Sequence, residues 1–369
     1  MKHLRFIVFI LIFSFCSKPT LNTKIAFDKK GIQNKKLDFF VKVHEKDKEL
    51  LKEVGIDVIE KIASKEIDFT QDKNELLKKA QKLLHYEYDI PNALIIALFL
   101  TQDKTNHDAW FLLGQCYFFM GEFYYEGYIK KYYEKAYHIF KWLLDKKPNK
   151  IAYLKWCSFA AGQTGSFIRH QERGTFSGVG FLKESIALND QILKLNPKDE
   201  DALVTEGEYQ IESSGIPLFG GSEKKGVKIY EKVLKMNPDN VRANMLLGKY
   251  YYKKKKDFKK AEKLILKAIK SFESKKAQTN LFNYNIRISA ALHLARVYHR
   301  LKNLDKKWQM ISSHLIRLPR SPSGLDLLRD FLLHIKKDKP SACKVAKRLV
   351  EMDPKGQKES RMKEACETN

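Results

Sequence analysis

The sequence predicts an all-α array of stacked helical hairpins, on three observations. One apolar pattern recurs along the chain with small residues at fixed places. A proline follows the second segment of most units. Two of those stops, Leu195-Asn196-Pro197-Lys198-Asp199 and Met236-Asn237-Pro238-Asp239-Asn240, are near-copies. Self-similarity of this kind marks a solenoid, in which each unit buries its apolar face only against its neighbours.

The clearest unit opens with Trp110-Phe111-Leu112-Leu113-Gly114-Gln115-Cys116-Tyr117 and continues, after an insertion, with Ala136, Phe140, Leu143 and Pro148. Further along, Leu154, Cys157, Ser158 and Ala161 pair with Ser185, Ile192 and Pro197, and Gly207 pairs with Gly226, Tyr230, Val233 and Pro238. Leu247-Gly248-Lys249-Tyr250-Tyr251 pairs with Ala261, Ile265 and Ala268; Leu294, Ala295 and Tyr298 pair with Ile311 and Pro319. Weaker units flank these: Ala80 and Leu83 with Ala93, Ala97 and Leu100, and Leu325 to Ile335 with Ala342, Ala346, Leu349 and Pro354. Small residues such as Gly114, Gly207, Gly248, Ala295, Ala136 and Ala261 let two antiparallel helices approach. Proline ends the second helix because it cannot continue one.

The first segment fits W-x2-L-G-x2-Y and the second A-x3-F-x2-(apolar)-x4-P. The chain therefore resembles the tetratricopeptide repeat (TPR) family over roughly Glu75 to Pro354. The resemblance implies a right-handed superhelix of about six to seven helix-turn-helix repeats with inter-helix insertions, and a concave groove lined by first helices. Residues 37–74 are expected to cap the array, and 355–369 to form a polar, frayed tail.

Composition narrows the function. The chain has 369 residues, 44% of them apolar, which supports a real core and excludes disorder over its full length. No apolar run reaches the length of a membrane span, so a polytopic membrane protein is excluded. Five cysteines without paired spacing exclude a disulfide scaffold and a zinc ribbon. Met1-Lys2-His3-Leu4-Arg5 followed by the apolar Phe6 to Phe15 and then Cys16 resembles a bacterial lipoprotein signal, although Phe15 stands where a small residue is usual. The resemblance implies acylation at Cys16, a tether over 17–36 and a body in the cell envelope, periplasm-facing or on the outer surface. A cleaved secreted form and a retained anchor are the alternatives.

The net charge is +25. Spread along an exported chain, it does not argue for nucleic acid. The densest run, Lys253-Lys254-Lys255-Lys256-Asp257-Phe258-Lys259-Lys260, falls where a helix–helix turn is expected. A solvated turn explains it; an anionic partner or membrane surface is the sharper reading.

Three insertions are expected as loops on one edge: Phe118 to Lys135, whose aromatics either extend the helices and pack on each other or form a ligand or partner surface; Gly162 to Lys183, glycine-rich with Arg169, His170 and Arg173; and Ile211 to Lys225. The third holds Pro217, Gly220-Gly221 and Ser222, a helix N-cap candidate. This stretch resembles a segment of the TPR lipoproteins that form the T component of TRAP-type solute transporters, with one residue fewer between Pro217 and the glycine pair. That resemblance implies an oligomer working beside a solute-binding subunit.

No H-E-x-x-H, G-x-S-x-G or phosphate-loop pattern is present. No metal or cofactor is implied, and a site in the 162–180 loop is the enzyme alternative. Cys116 and Cys157 read as buried packing residues, while Cys343 and Cys366 leave a disulfide open. The main reading is a non-catalytic interaction or scaffold protein, tethered to the membrane by lipid alone and binding a protein or peptide partner without nucleic acid; an acidic partner is the expectation that a basic groove carries. Helical register points Phe111, Gln115, Phe118 and Phe119 into the groove, then Val204, Glu208 and Ile211. Arg242, Met245, Lys249, Tyr252 and Lys253 follow, then Leu292, Arg296, His299 and Arg300. The groove is thus expected to pass from aromatic to basic.

Overall fold

The computed structural model describes residues 49–56, 67–87, 89–123, 129–171, 178–214, 220–272, 281–319, 321–352 and 359–367. The expected signal with Cys16, the tether and residues 37–48 lie outside them. Among the described residues, seven hairpins follow one another. They are α1 (Lys73–Lys82, continued by a π-helical turn at Leu83–Glu87) with α2 (Ile90–Leu100); α3 (His107–Phe123) with α4 (Ile129–Lys146); and α5 (Ile151–Gln171) with α6 (Val179–Leu195). Next come α7 (Glu200–Glu212) with α8 (Glu223–Met236), and α9 (Val241–Tyr250, continued by Tyr251–Lys255) with α10 (Phe258–Phe272). The last two are α11 (Leu281–Arg300) with α12 (Leu304–Arg317), and α13 (Pro322–Phe331, continued by Leu332–Lys336) with α14 (Lys339–Met352).

The near-copied stops fold as near-copies. After α6, the Asn196 side-chain oxygen accepts from Lys198 N at 3.2 Å, and Asp199 caps α7 by accepting from Ala202 N at 3.1 Å. After α8, Asn237 accepts from Asp239 N at 3.2 Å and Asn240 caps α9 through Ala243 N at 2.8 Å. Each stop therefore satisfies the orphan N–H groups of the next helix while proline blocks the previous one. Inside three hairpins a second turn recurs: Lys256, Lys302 and Lys337 take left-handed φ values of 56°, 57° and 59°. The residue after each, Asp257, Asn303 or Asp338, caps the second helix. The lysine run at 253–260 is thus a helix–helix turn.

The small residues do what close approach demands. A Cβ at Gly114 would stand 2.6 Å from the Phe140 ring, and one at Gly248 2.6 Å from Ile265 Cγ1. Each glycine lets a large residue of the second helix lie across the first. Along the array, α3 touches α5, α7 touches α9, α9 touches α11, and α11 touches α13. First helices thus form the inner, concave row and second helices the outer one.

Four features depart from the sequence reading. Residues 51 and 56 of the expected N-terminal cap sit at the other end of the array. Leu51 and Ile56 are buried with Leu325, Leu328, Val345 and Leu349, and Glu53 pairs with Lys344 at 2.6 Å. The Leu83–Glu87 turn also reaches α11, so the first hairpin crosses toward the sixth. The expected frayed tail contains a helix, α15 (Glu359–Cys366), packed on α14 and joined to it by the Cys343–Cys366 disulfide. The second insertion is largely helix rather than loop, with α5 running on through Gln171; in the first, α3 runs on through Phe123 as the helix-extension reading has it, and in the third α7 ends at Glu212. Residues 124–128, 172–177 and 215–219, which include Arg173 and Pro217, lie outside the described residues, as do the side chains of Arg169 and His170.

Candidate functional site

The concave row encloses one large cavity of about 870 Å³. Its walls are the inner faces of α5, α7, α9 and α11, closed on one side by α6. One end is polar and uncharged, with Ser158, Gln163, Ser166 and Asn189. The other is strongly charged, and its charges follow the helices: carboxylates on α7, cations on α9 and α11.

Two ion pairs cross from α7 to α9. The Arg242 guanidinium donates to Glu208 Oε2 at 2.9 Å, to Thr205 Oγ1 at 2.7 Å and to the Asp201 carbonyl at 3.1 Å. It also lies over the Phe159 ring at 5.3 Å. The side chain is 7% exposed, so this arginine is part of the wall. One turn on, Lys249 donates to Glu212 Oε1 at 2.9 Å. Burial lowers the Lys249 ammonium, but Glu208 and Glu212 outweigh it and hold the pKa above the usual lysine value. Burial likewise raises Glu212, and Lys249, Lys253 and Lys254 outweigh that and hold its carboxyl low.

Beyond these pairs the charges stop balancing. Lys253 lines the cavity and is pushed below the usual lysine value by burial, then by Lys249 and Arg296, against the pull of Glu212. His293 lines the same end, and its Nδ1 is buried without a hydrogen-bond partner. Burial, then Arg296, Lys249 and Lys253, lower its pKa to about 3. It is therefore a neutral imidazole at pH 7. Lys253 and Arg296 have no paired carboxylate among the described residues. Cations gathered in a half-enclosed space repel one another, and the arrangement is stable only at a cost that a bound anion would remove.

The expected groove residues divide accordingly. Arg242, Met245, Lys249 and Lys253 line the cavity, as does Glu208, and Arg296 stands beside it. His299 and Arg300 are exposed at the end of α11 and do not line it, and Tyr252 packs on Phe258 at 5.9 Å. Val204, Ile211 and Leu292 are buried.

The aromatic half of the expected groove does not exist as an open surface. Phe118 and Phe119 are fully buried and Gln115 is 5% exposed. Phe118 meets Phe119, Tyr133 and Trp156 with ring centroids about 5.5 Å apart. Phe111 packs against Phe140 and Tyr153. The cause is direct contact between α3 and α5, which puts Trp156 into the space that register alone leaves to solvent. Gln115 hydrogen-bonds to His85 on the Leu83–Glu87 turn, whose crossing no short-range pattern signals. The residues that sequence reasoning missed are His293 and Ser289 on α11 and the polar set of α5. His293 lies six residues before His299, a spacing that puts the two on different faces of α11 and signals no shared site.

Cys116 and Cys157 are buried, and burial pushes both thiols far up, Cys157 to about 12. Neither has the character of a nucleophile.

A tetratricopeptide repeat profile matches residues 241–274, the hairpin α9–α10 that carries Lys249 and Lys253. No curated protein matches the chain in sequence. Among solved structures, a tetratricopeptide repeat protein from Parabacteroides merdae is similar at 14% identity, over 79% of this chain and 96% of its own, with a TM-score of 0.44. PilF of Pseudomonas aeruginosa is similar at 13% identity, over 70% of this chain and 96% of its own, with a TM-score of 0.40. A chain of the APC/C hetero-tetramer Cut9-Hcn1 is similar at 16% identity, over 79% of this chain and 55% of its own, with a TM-score of 0.47.

Proposed function

We propose that this is a non-catalytic binding protein that takes an acidic segment of a protein partner into the concave cavity. One observation carries the reading: at one end of the cavity Lys253, with Arg296 beside it, stands outside the ion pairs of Arg242 and Lys249, next to the neutral His293, whose Nδ1 has no hydrogen-bond partner. A carboxylate entering there gains two cations and a neutral ring N–H donor. The polar, uncharged end beside α5 then accommodates the backbone of an extended chain. Repeat arrays of this architecture offer such concave surfaces, and the α9–α10 hairpin matches the repeat profile directly.

The protein works in the cell envelope, exported by its N-terminal apolar segment and tethered through Cys16. The Cys343–Cys366 disulfide supports this placement, because disulfides persist in oxidising compartments outside the cytosol.

The test is photo-crosslinking in cells from a probe at Met245 or Ser289, which face the cavity, against one at exposed Lys235 on the outer row. A partner should be captured from the inner positions alone. The double variant Lys253→Glu/Arg296→Glu should abolish that capture while leaving thermal stability near that of the wild type. Equal capture from Lys235, or capture that survives the double variant, would sink the proposal. Capture of a solute-binding subunit would make the partner a transporter.

A further inference from the structure

The outer row carries a feature that the cavity does not use. On α8, Lys224, Lys228, Lys232 and Lys235 fall at i, i+4, i+8 and i+11. On α10, Lys259, Lys263, Lys267 and Lys270 repeat that spacing, and all eight are exposed. Residues three and four apart share a helix face, so each helix presents one lysine stripe. The two stripes stand at equivalent places of consecutive hairpins. Residues 223–272 hold 16 Lys and Arg against 5 Asp and Glu, a net +11 out of the chain's +25. Neighbouring second helices lack this: α6 balances Lys183 and Lys194 against Glu184 and Asp190.

These lysines are not used up in ion pairs. Lys267 stands 3.9 Å from Asp239. The other seven have no carboxylate partner among the described residues. Between the C-terminal end of α8 and α10 lies a recess of about 640 Å³. Leu234, Pro238 and Leu264 line it beside Lys259, Lys263 and Lys267. Met236 and Leu266, each 42% exposed, lie on the same two helices. Lysines beside exposed apolar side chains suit an anionic bilayer surface, where ammonium groups meet headgroups and apolar tips enter the interface. Nucleic acid fits less well. The stripes contain no arginine, and no aromatic side chain of α8 or α10 is exposed for stacking on bases.

We infer that the outer face of α8 and α10 docks on an anionic membrane surface, turning the cavity away from the bilayer. The face is a second membrane contact, independent of any anchor at Cys16.

The experiment is sedimentation of the full chain with vesicles of neutral phosphatidylcholine and with vesicles containing 30% phosphatidylglycerol. Because the N-terminal segment can hold the chain on both, hydrogen exchange of the α8 and α10 amides on each vesicle type is read alongside. The expected result is tighter association with anionic vesicles, weakening with salt, and added exchange protection confined to α8 and α10. Each lysine near a charged surface contributes about fivefold. The variant Lys259→Gln/Lys263→Gln/Lys270→Gln should therefore lose about a hundredfold of the anionic preference. An equal change of charge elsewhere, Lys78→Gln/Lys79→Gln/Lys104→Gln, should lose little. Equal losses in both variants, no extra protection on anionic vesicles, or a single-stranded oligonucleotide that displaces the chain from them at equal charge would each overturn the inference.

Discussion

The inner row on the two sides of α5 comes from one repeat pattern and ends as opposites. From α3 to α5 the inner row is filled: Phe118, Phe119, Phe111 and Trp156 occupy the space between first helices, and no groove remains. From α7 to α11 the same inner positions carry Glu208, Glu212, Arg242, Lys249 and Lys253, and an open cavity remains. Rings lower the free energy by leaving water and packing on one another. Charges lower it only by staying hydrated or paired. Changing the side chains at equivalent positions thus turns the inner row from core into cavity wall.

The largest effect expected from this contrast is on the filled side. Phe118→Ala should cost about 3–5 kcal/mol of unfolding free energy, through lost burial and the cavity left among Phe119, Tyr133 and Trp156. Gly114→Ala should follow at about 1–3 kcal/mol, because its Cβ lands on the Phe140 ring. Denaturant unfolding of each variant gives the values. A loss below about 1 kcal/mol for Phe118→Ala would mean that this half is as loosely filled as the other, and the comparison would break.

His293 sharpens the contrast from the open side. Its pKa in the folded chain, about 3, lies below the 6.5 of an unperturbed histidine. Between those values the unfolded chain binds the extra proton, so the stabilisation present above pH 6.5 is lost as pH falls toward 3. The slope is up to about 1.4 kcal/mol per pH unit. His293→Gln should flatten stability between pH 6.5 and 4, relative to wild type, by a measurable part of that slope. An unchanged profile would mean that neither burial nor the cations Arg296, Lys249 and Lys253 hold the ring neutral.

How much of this could be read in the sequence follows the same division. The repeat units, the proline stops and the cap Ser222 are local, and local patterns suffice for them; Ser222 does accept from Lys225 N at 3.3 Å. The basic groove positions on α9 were legible because the α9–α10 hairpin keeps the repeat without an insertion. The aromatic groove positions were not. Gln115 and Phe118 face outward by register, and only the contact of α3 with α5 and the crossing of the Leu83–Glu87 turn cover them. The glycines at 162 and 165 read as a loop but lie inside α5. Gly165 permits close approach to Gly178, whose own φ of 79° starts α6.

The smallest effect concerns how the two ends of the array are held. Leu51 and Ile56 bury themselves among the last hairpins, and Glu53 pairs with Lys344 at 2.6 Å. Those two charged side chains are 52% and 58% exposed. Water screens such a pair and two long side chains lose freedom in making it, so Lys344→Ala should change stability by no more than about 0.5 kcal/mol. Leu51→Ala removes a fully buried side chain and should cost several times as much, about 2–4 kcal/mol. If Lys344→Ala proved the costlier of the two, electrostatics would hold the ends together and salt would open the array. If the order stands, apolar burial closes it.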